Sequence, residues 1–134
     1  MKLPGAPCIL VVDDEPDNRV LLALILRNEG FAVLTAGTGE EALAIVAASP
    51  PDLILLDVMM PDLDGCEVAG RLKAAHATRN LPIILVTARH DREAAMLLRS
   101  KADGVLRKPF TRAEVCARVR EELGLAPRMT APPR

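Results

Sequence analysis

Aromatic side chains are almost absent from this sequence, which contains no tryptophan, no tyrosine and only the phenylalanines Phe31 and Phe110. Intrinsic fluorescence therefore cannot report a change of conformation. Long apolar runs are missing as well, because no segment approaches the roughly 20 residues that a membrane-spanning helix needs. The opening residues 1–5 do not resemble a signal peptide. We therefore expect a cytoplasmic protein without a membrane partner.

An excess of charge of either sign is also lacking. The sequence has 17 basic and 18 acidic residues, which gives a formal net charge of −1. Proteins that bind nucleic acids or anionic membranes usually carry a strongly positive surface. The charge balance therefore predicts that this chain does not bind nucleic acid directly.

Cysteine and histidine are scarce and scattered. Cys8, Cys66 and Cys116 are far apart and show no CxxC spacing, so they do not indicate a zinc site. We predict that they are buried, reduced thiols. His76 and His90 have no nucleophile near them in sequence, and we expect both to be solvated residues at helix ends.

Five apolar runs alternate with stretches of helical period. The runs span residues 8–12, 31–36, 53–56, 82–86 and 103–106. Continuous apolar runs are typical of strands buried on both faces of a parallel sheet, and their alternation with helices is the βαβ pattern. A chain of 134 residues has the size of one domain. We predict an α/β fold in which helices cover both faces of a five-stranded parallel sheet.

The predicted helices have recognisable signals at their ends. The first lies between Pro16, which suits a first helical turn, and Gly30, which can close a helix in the left-handed conformation. Its apolar residues at helical spacing are Val20, Leu21, Leu24 and Ile25. Residues 38–41 and 111–114 match capping boxes and predict the starts of the second and fifth helices. The remaining two helices are predicted from about Gly65 and over about 91–100.

The end of the chain lacks these patterns. Residues 124–134 have no helical period and include three prolines, a composition typical of a disordered tail or a linker. We predict a short lead at 1–7, one folded domain at 8–123 and a Pro-rich tail or truncated linker at 124–134.

Polar side chains follow four of the five predicted strands. Asp13 and Asp14 follow the first strand, Asp57 the third, Thr87 the fourth and Lys108 the fifth. The carboxyl ends of parallel strands meet at one edge of the sheet, where α/β folds bind their ligands. Three carboxylates in one crevice require either a raised pKa that neutralises one of them or a divalent cation. Since oxygen ligands of this charge suit Mg²⁺, the cluster predicts a magnesium site.

The other residues at these strand ends indicate a phosphoryl group as well. A metal alone does not require Lys108, whereas phosphoryl oxygens favour a mobile positive charge. Thr87 offers a hydroxyl donor, and Asp57 is a candidate carboxylate nucleophile. Taken singly, an Asp pair is commonly a helix cap and a Thr a strand former. Their joint occurrence at successive strand ends predicts a phosphoryl-transfer site.

Four segments resemble the receiver domain of two-component response regulators, of the single-domain type known from chemotaxis. They are residues 11–15, 55–65, 86–88 and 108–110, and the likeness extends over about 8–123. The resemblance implies a flavodoxin-like, doubly wound sheet with strand order 2-1-3-4-5. It also implies two kinds of partner: a histidine kinase or histidine phosphotransfer protein, and a downstream protein that the sequence does not identify.

The resemblance assigns roles to the strand-end residues. Asp57 would accept the phosphoryl group of a phosphohistidine with the help of Mg²⁺. Asp14 and Asp57 would contact the metal directly, Asp13 mostly through water, and the backbone carbonyl of Met59 would be a further ligand. Such a domain catalyses its own phosphorylation and slow dephosphorylation, and it does not turn over an external substrate.

The resemblance also implies a switch. Thr87 would move to hydrogen-bond the phosphoryl group while Lys108 pairs with it, which would remodel the surface of the fourth helix, fifth strand and fifth helix. Phosphorylation-dependent homodimerisation through that surface is left open. The family further implies a cis Lys108–Pro109 bond and partner docking beside the first helix, at residues 17–19.

The sequence departs from the family at the same surface. Val105 stands where many receivers have a Tyr or Phe that moves on activation, Lys101 where Gly is usual, and Gly104 where Asp is common. A valine has one stiff torsion, so we expect coupling to this surface to be weaker or to take another route. Met59 and Arg89 are expected to border the phosphoryl group, and they predict a moderate phosphoryl lifetime.

Three alternatives compete with this interpretation. A haloacid-dehalogenase-like phosphatase also uses an Asp nucleophile with Mg²⁺, but it needs a second Asp where this chain has Met59. A phosphorylation-independent binding module on a receiver scaffold is favoured by Val105 and disfavoured by the intact Asp57, Thr87 and Lys108. The third alternative concerns architecture: the Pro-rich segment 124–134 could once have joined an output domain. Because the chain contains no effector, we prefer a stand-alone or relay receiver.

Overall fold

The structure, a computed structural model, describes residues 5–126 except for the side chain of His90. Five strands form one parallel sheet of order β2-β1-β3-β4-β5, as predicted. The strands are β1 (Cys8–Val12), β2 (Ala32–Ala36), β3 (Leu53–Asp57), β4 (Ile83–Thr87) and β5 (Gly104–Arg107). The helices are α1 (Pro16–Asn28), α2 (Gly39–Ala48), α3 (Gly65–Ala74), α4 (Glu93–Ser100) and α5 (Arg112–Glu122).

The predicted element boundaries hold to within about two residues. The largest difference is at α4, where His90–Arg92 forms a 3₁₀ turn and the α-helix begins only at Glu93. Residues 1–4 of the predicted lead, residues 127–134 of the predicted tail and the predicted solvation of the His90 side chain lie outside the described part of the chain. None of the helices within residues 5–126 is long and apolar enough to cross a membrane.

The core has one layer on each face of the sheet, because successive strand side chains point to opposite faces. Ile9 and Val11 pack in the layer beneath α1 and α5. Leu10 and Val12 pack in the layer beneath α2, α3 and α4. The central strands β1, β3 and β4 are therefore apolar up to their last residue, which explains why these runs were continuous in the sequence.

The predicted apolar face of α1 was wrong. Leu22, Ala23 and Leu26 are buried against the sheet, whereas the side chains of Val20, Leu21 and Leu24 are 60%, 52% and 60% exposed. Residues 20–26 are all apolar, so stripes of helical period can be drawn on several faces and the pattern does not select the buried one. The fold leaves an exposed apolar face on this helix.

Helix capping agrees with the predictions for α5 and in part for α2. Thr111 and Glu114 form the complete reciprocal box. Thr38 accepts a hydrogen bond from the amide of Glu41, but the Glu41 carboxylate accepts from the amide of Gly37 and not from that of Thr38. The second predicted box is therefore half formed, although the helix starts where it was expected.

The departures from the family pattern around β5 have structural consequences. Lys101 ends α4 with φ at 58°, a left-handed conformation that a glycine adopts at less cost. Gly104 leaves room for the Arg118 side chain, because a Cβ at Gly104 would lie 2.2 Å from Arg118 Nη2. Val105 is partly buried against the layer of α2, α3 and α4. No aromatic ring stands at this position of β5.

The predicted thiols and histidine are found mostly as expected. None of the three cysteines forms a disulfide bond within residues 5–126; Cys66 and Cys116 are buried, while Cys8 is only partly buried. His76 is exposed just beyond the end of α3.

Candidate functional site

The strand register brings the predicted acidic residues together at the carboxyl edge of the sheet. Val12 of β1 pairs with Leu56 of β3, so the residues that follow them, Asp13 and Asp57, are neighbours. Asp13 is 2% exposed and Asp57 is 4% exposed, while Asp14 is partly exposed. Carboxylate oxygens of the three residues all lie within 4.8 Å of one another. The crevice that the sequence predicted is therefore present.

The charge of Lys108 enters this crevice from the far edge of the sheet. Its backbone amide donates to the carbonyl oxygen of Thr87 at 2.9 Å, which anchors the residue to the end of β4. Its Nζ lies 3.3 Å from Asp57 Oδ1 and 3.9 Å from Asp13 Oδ2. The Lys108–Pro109 peptide bond is cis, as the family resemblance implied.

Thr87 lies at the same edge but faces its own loop. The residue is fully buried, and its Oγ1 accepts a hydrogen bond from the backbone amide of Arg89 at 2.9 Å. Within residues 5–126, no hydrogen bond joins Thr87 to Asp57. The hydroxyl proton of Thr87 is still able to donate to another acceptor.

Burial raises the pKa of the Asp57 carboxyl. The positive charge of Lys108 acts in the opposite direction, and the negative charges of Asp13 and Asp14 reinforce the rise. One ammonium group therefore compensates three carboxylates only in part. A second cation in the crevice would relieve the remaining repulsion.

The donor set fits Mg²⁺. All three side chains offer oxygen ligands, and the partial exposure of Asp14 leaves room for the waters that Mg²⁺ usually retains. The Met59 side chain is 62% exposed, so it does not close the crevice. The predicted role of the Met59 carbonyl as a ligand stays a prediction.

Several positioning contacts were not anticipated from the sequence. The Glu15 amide donates to Asp13 Oδ1 at 2.9 Å, and Arg19 Nη1 donates to the Asp13 carbonyl oxygen at 2.7 Å. Gly65 packs so closely that a Cβ there would lie 2.3 Å from the Asp57 carbonyl oxygen. The sequence offered a signal only for Gly65, a glycine at a predicted helix start.

A further unanticipated contact joins the β3–α3 loop to α2. Both oxygens of Asp62 accept hydrogen bonds, from the amides of Gly39 and Glu40, each at 3.1 Å. Amide hydrogen bonds from Leu63, Gly39 and Glu40 lower the pKa of the Asp62 carboxyl. The loop that follows Asp57 is thus tied to a helix start 22 and 23 residues earlier in the chain.

Residues 9–120 match the family model described as the response regulator receiver domain. The chain is 42% identical over 116 residues to the DNA-binding response regulator MtrA of Mycolicibacterium smegmatis, an alignment that covers 86% of this chain and 50% of that protein. The chain spans about half the length of the curated relatives that it matches.

Two solved structures have the same architecture. One is the response regulator TrrA of Thermotoga maritima in complex with Mg²⁺-BeF, with a TM-score of 0.79 and 37% identity, covering 87% of this chain and 98% of that one. The other is the receiver domain of sensor histidine kinase PA1611 of Pseudomonas aeruginosa PAO1 with magnesium in its active site cleft. Its TM-score is 0.82 at 30% identity, covering 90% and 99% of the two chains.

Proposed function

This chain belongs to the response regulator receiver family, and we propose that it is a phosphorelay protein in which Asp57 accepts a phosphoryl group from a phosphohistidine. The observation that carries the proposal is the contact of Lys108 Nζ with the buried carboxylate of Asp57, 3.3 Å away, beside Asp13 and Asp14. In the transfer, the bond between phosphorus and the imidazole nitrogen breaks as a bond between phosphorus and an Asp57 oxygen forms. The donor would be a histidine kinase or a histidine phosphotransfer protein.

Asp13, Asp14 and Asp57 would hold Mg²⁺, with the Met59 carbonyl as a further ligand. When bound, the ion supplies positive charge next to the transferring phosphoryl oxygens. Lys108 supplies a second positive charge at Asp57, which opposes the rise in the pKa of that carboxyl and favours the ionised form that attacks. Phosphoryl transfer of this kind depends mainly on positioning and charge neutralisation, which these four side chains can provide.

Thr87 is proposed to start the switch. Its Oγ1 now accepts from the Arg89 amide, in the loop that leads to α4. A turn of the hydroxyl toward a phosphoryl group on Asp57 would break that bond and release the loop. Arg107, next to Lys108, forms an ion pair with Glu93 at the start of α4, which links the same movement to β5. Because Val105 offers no ring to move, we propose that this loop carries the signal to the α4-β5-α5 surface.

We propose that the phosphohistidine donor docks on the exposed apolar face of α1. Val20 and Leu21 follow directly after residues 17–19, which the family resemblance already suggested, and Leu24 lies about one turn further along α1. An exposed apolar patch next to an active site commonly marks an interface. Arg19 is less available to a partner, because its guanidinium donates a hydrogen bond to the backbone carbonyl of Asp13.

We propose that the chain corresponds to the receiver half of its longer relatives and makes no contact with DNA itself. MtrA is named a DNA-binding response regulator, and the match covers 50% of it. A net charge of −1 gives no general attraction to phosphates. A cytoplasmic location, where phosphohistidine donors of this class act, belongs to the same proposal.

Intact-protein mass spectrometry tests the central step. The protein is incubated with acetyl phosphate and Mg²⁺ beside the variants Asp57→Asn and Asp17→Asn and a chelator control. We expect a gain of one phosphoryl group in the wild type and in Asp17→Asn, where an exposed carboxylate is removed from the first turn of α1. Asp57→Asn and the chelated sample should show no gain.

A wild type that gains no mass would next be tested with phosphorylated histidine kinases as donors. Failure with those donors as well would favour the alternative function, a binding module that works without phosphorylation. Uptake by Asp57→Asn equal to that of the wild type would show that another residue is the acceptor.

A further inference from the structure

A cavity of about 300 Å³ lies beside the phosphoacceptor crevice, between the β3–α3 loop and the segment 89–99, which includes most of α4. Its apolar lining includes Val58, Ala95 and Met96. Three guanidinium groups line it as well, those of Arg89, Arg92 and Arg99. Asp57, Thr87 and Lys108 do not line it, whereas Met59, whose backbone carbonyl is the proposed further ligand of Mg²⁺, does.

The charge around the cavity is unbalanced. Asp64 is the one carboxylate in the lining, and it lies 3.2 Å from Arg99. Arg89 pairs with Asp91 outside the lining, at 3.3 Å. For Arg92, no carboxylate within residues 5–126 is at ion-pairing distance. Since the two existing pairs are solvent-exposed, they contribute little and can rearrange around a bound anion.

We infer that this cavity binds a small aromatic carboxylate. Guanidinium groups bind carboxylates through paired hydrogen bonds and also stack on aromatic rings. The thioethers of Met59 and Met96 line the same space, and sulfur makes favourable contacts with aromatic rings. A cavity of about this size is at the lower end of the range for small-molecule sites, which suits a ligand of one ring.

The inference is tested with benzoate as the probe, by amide NMR titration of the unphosphorylated protein without Mg²⁺ at constant ionic strength. We expect saturable shifts at residues 58–59 and 89–99, with a dissociation constant on the order of 1 mM. Acetate carries the head group alone and benzyl alcohol the ring alone, and both should bind at least several-fold more weakly. Because no phosphoryl transfer is involved, this test is independent of the proposed function.

Two variants and a control locate the binding. Arg92→Gln should weaken benzoate binding roughly tenfold, the loss expected for one charge-assisted hydrogen bond. Ala95→Leu should fill the space and abolish binding. Arg79→Gln removes an exposed guanidinium at the opposite edge of the sheet and should leave binding unchanged. Shifts that do not saturate, that centre on α1, or that persist equally in both cavity variants would overturn the inference.

Discussion

Lys108 and Asp57 form an ion pair across 51 residues of sequence, with Nζ 3.3 Å from Oδ1. Only β4 lies between β3, which ends at Asp57, and β5, which precedes Lys108. The lysine side chain is long enough to reach across the end of β4. Its charge is shared with Asp13, 3.9 Å away. The pair therefore stabilises the ionised form of Asp57 without removing the cost of burying it, and the pKa of Asp57 stays raised.

That raised pKa predicts how stability depends on pH. The folded protein holds the Asp57 proton more tightly than the unfolded chain, so the free energy of unfolding falls as pH rises above the ordinary Asp pKa of about 3.9. With a chelator present, Asp57→Asn should therefore be more stable than the wild type at pH 7. The gain should shrink as the pH is lowered toward 4. Urea unfolding across this range measures it.

Glu121→Gln is the control for this prediction, because it removes an exposed carboxylate from α5. Its effect should stay within about 0.5 kcal/mol at every pH. A gain for Asp57→Asn that is equal at pH 4 and pH 7, or no gain at pH 7, would contradict the assigned cause.

Two glycines of α3 should respond in opposite ways to the same substitution. A Cβ at Gly65 would lie 2.3 Å from the carbonyl oxygen of Asp57, and backbone cannot move aside without shifting the acceptor residue. Gly65→Ala should cost about 1–3 kcal/mol of stability and slow phosphoryl uptake. Gly70 meets only the Arg99 carbonyl oxygen at 3.9 Å, so Gly70→Ala should stabilise the helix by about 0.5–1 kcal/mol.

Urea unfolding and uptake of the phosphoryl group from acetyl phosphate are measured on both variants. Normal uptake in Gly65→Ala would show that the loop after β3 accommodates a methyl group without moving Asp57. Slowed uptake in Gly70→Ala would show that helix flexibility, and not the close approach at Gly65, controls the reaction.

The sheet and the crevice could be predicted because both depend on short-range patterns. Apolar runs define buried strands, and in a parallel sheet every residue after a strand lies at the same edge. Asp13, Asp57 and Lys108 were therefore grouped correctly without knowledge of any contact. The capping box at Thr111 is likewise a local pattern of four residues.

The features that could not be predicted depend on contacts between distant segments. The bonds of Asp62 to the start of α2 and the cavity between the β3–α3 loop and α4 have no signature in either segment alone. The prediction of which face of α1 is buried failed for another reason. Its seven consecutive apolar residues, 20–26, fit several faces equally, and only packing against the sheet selects Leu22 and Leu26.

The orientation of α1 predicts different effects for two leucines of the same helix. Leu26 is fully buried, and Leu26→Ala should cost about 2–5 kcal/mol of stability. Leu24 is 60% exposed, and Leu24→Ala should change stability by no more than about 0.5 kcal/mol. If α1 is the donor-docking face, Leu24→Ala should slow transfer from a phosphorylated kinase while uptake from acetyl phosphate stays normal. Equal losses of stability in the two variants would contradict the assigned orientation.

The lifetime of the phosphoryl group should depend on Met59 and Arg89, which follow Asp57 and Thr87 by two residues each. Both side chains are exposed, and we expect them to border the phosphoryl group, where an apolar thioether and a guanidinium would slow the approach of water without closing the crevice. Met59→Asn and Arg89→Ala should each shorten the lifetime by up to about tenfold, equivalent to about 1.4 kcal/mol in activation free energy. Leu98→Asn is the matched control, since Leu98 is 83% exposed on α4 away from the crevice. Decay is followed by intact mass after removal of the donor, and wild-type lifetimes in both test variants would rule out shielding by these side chains.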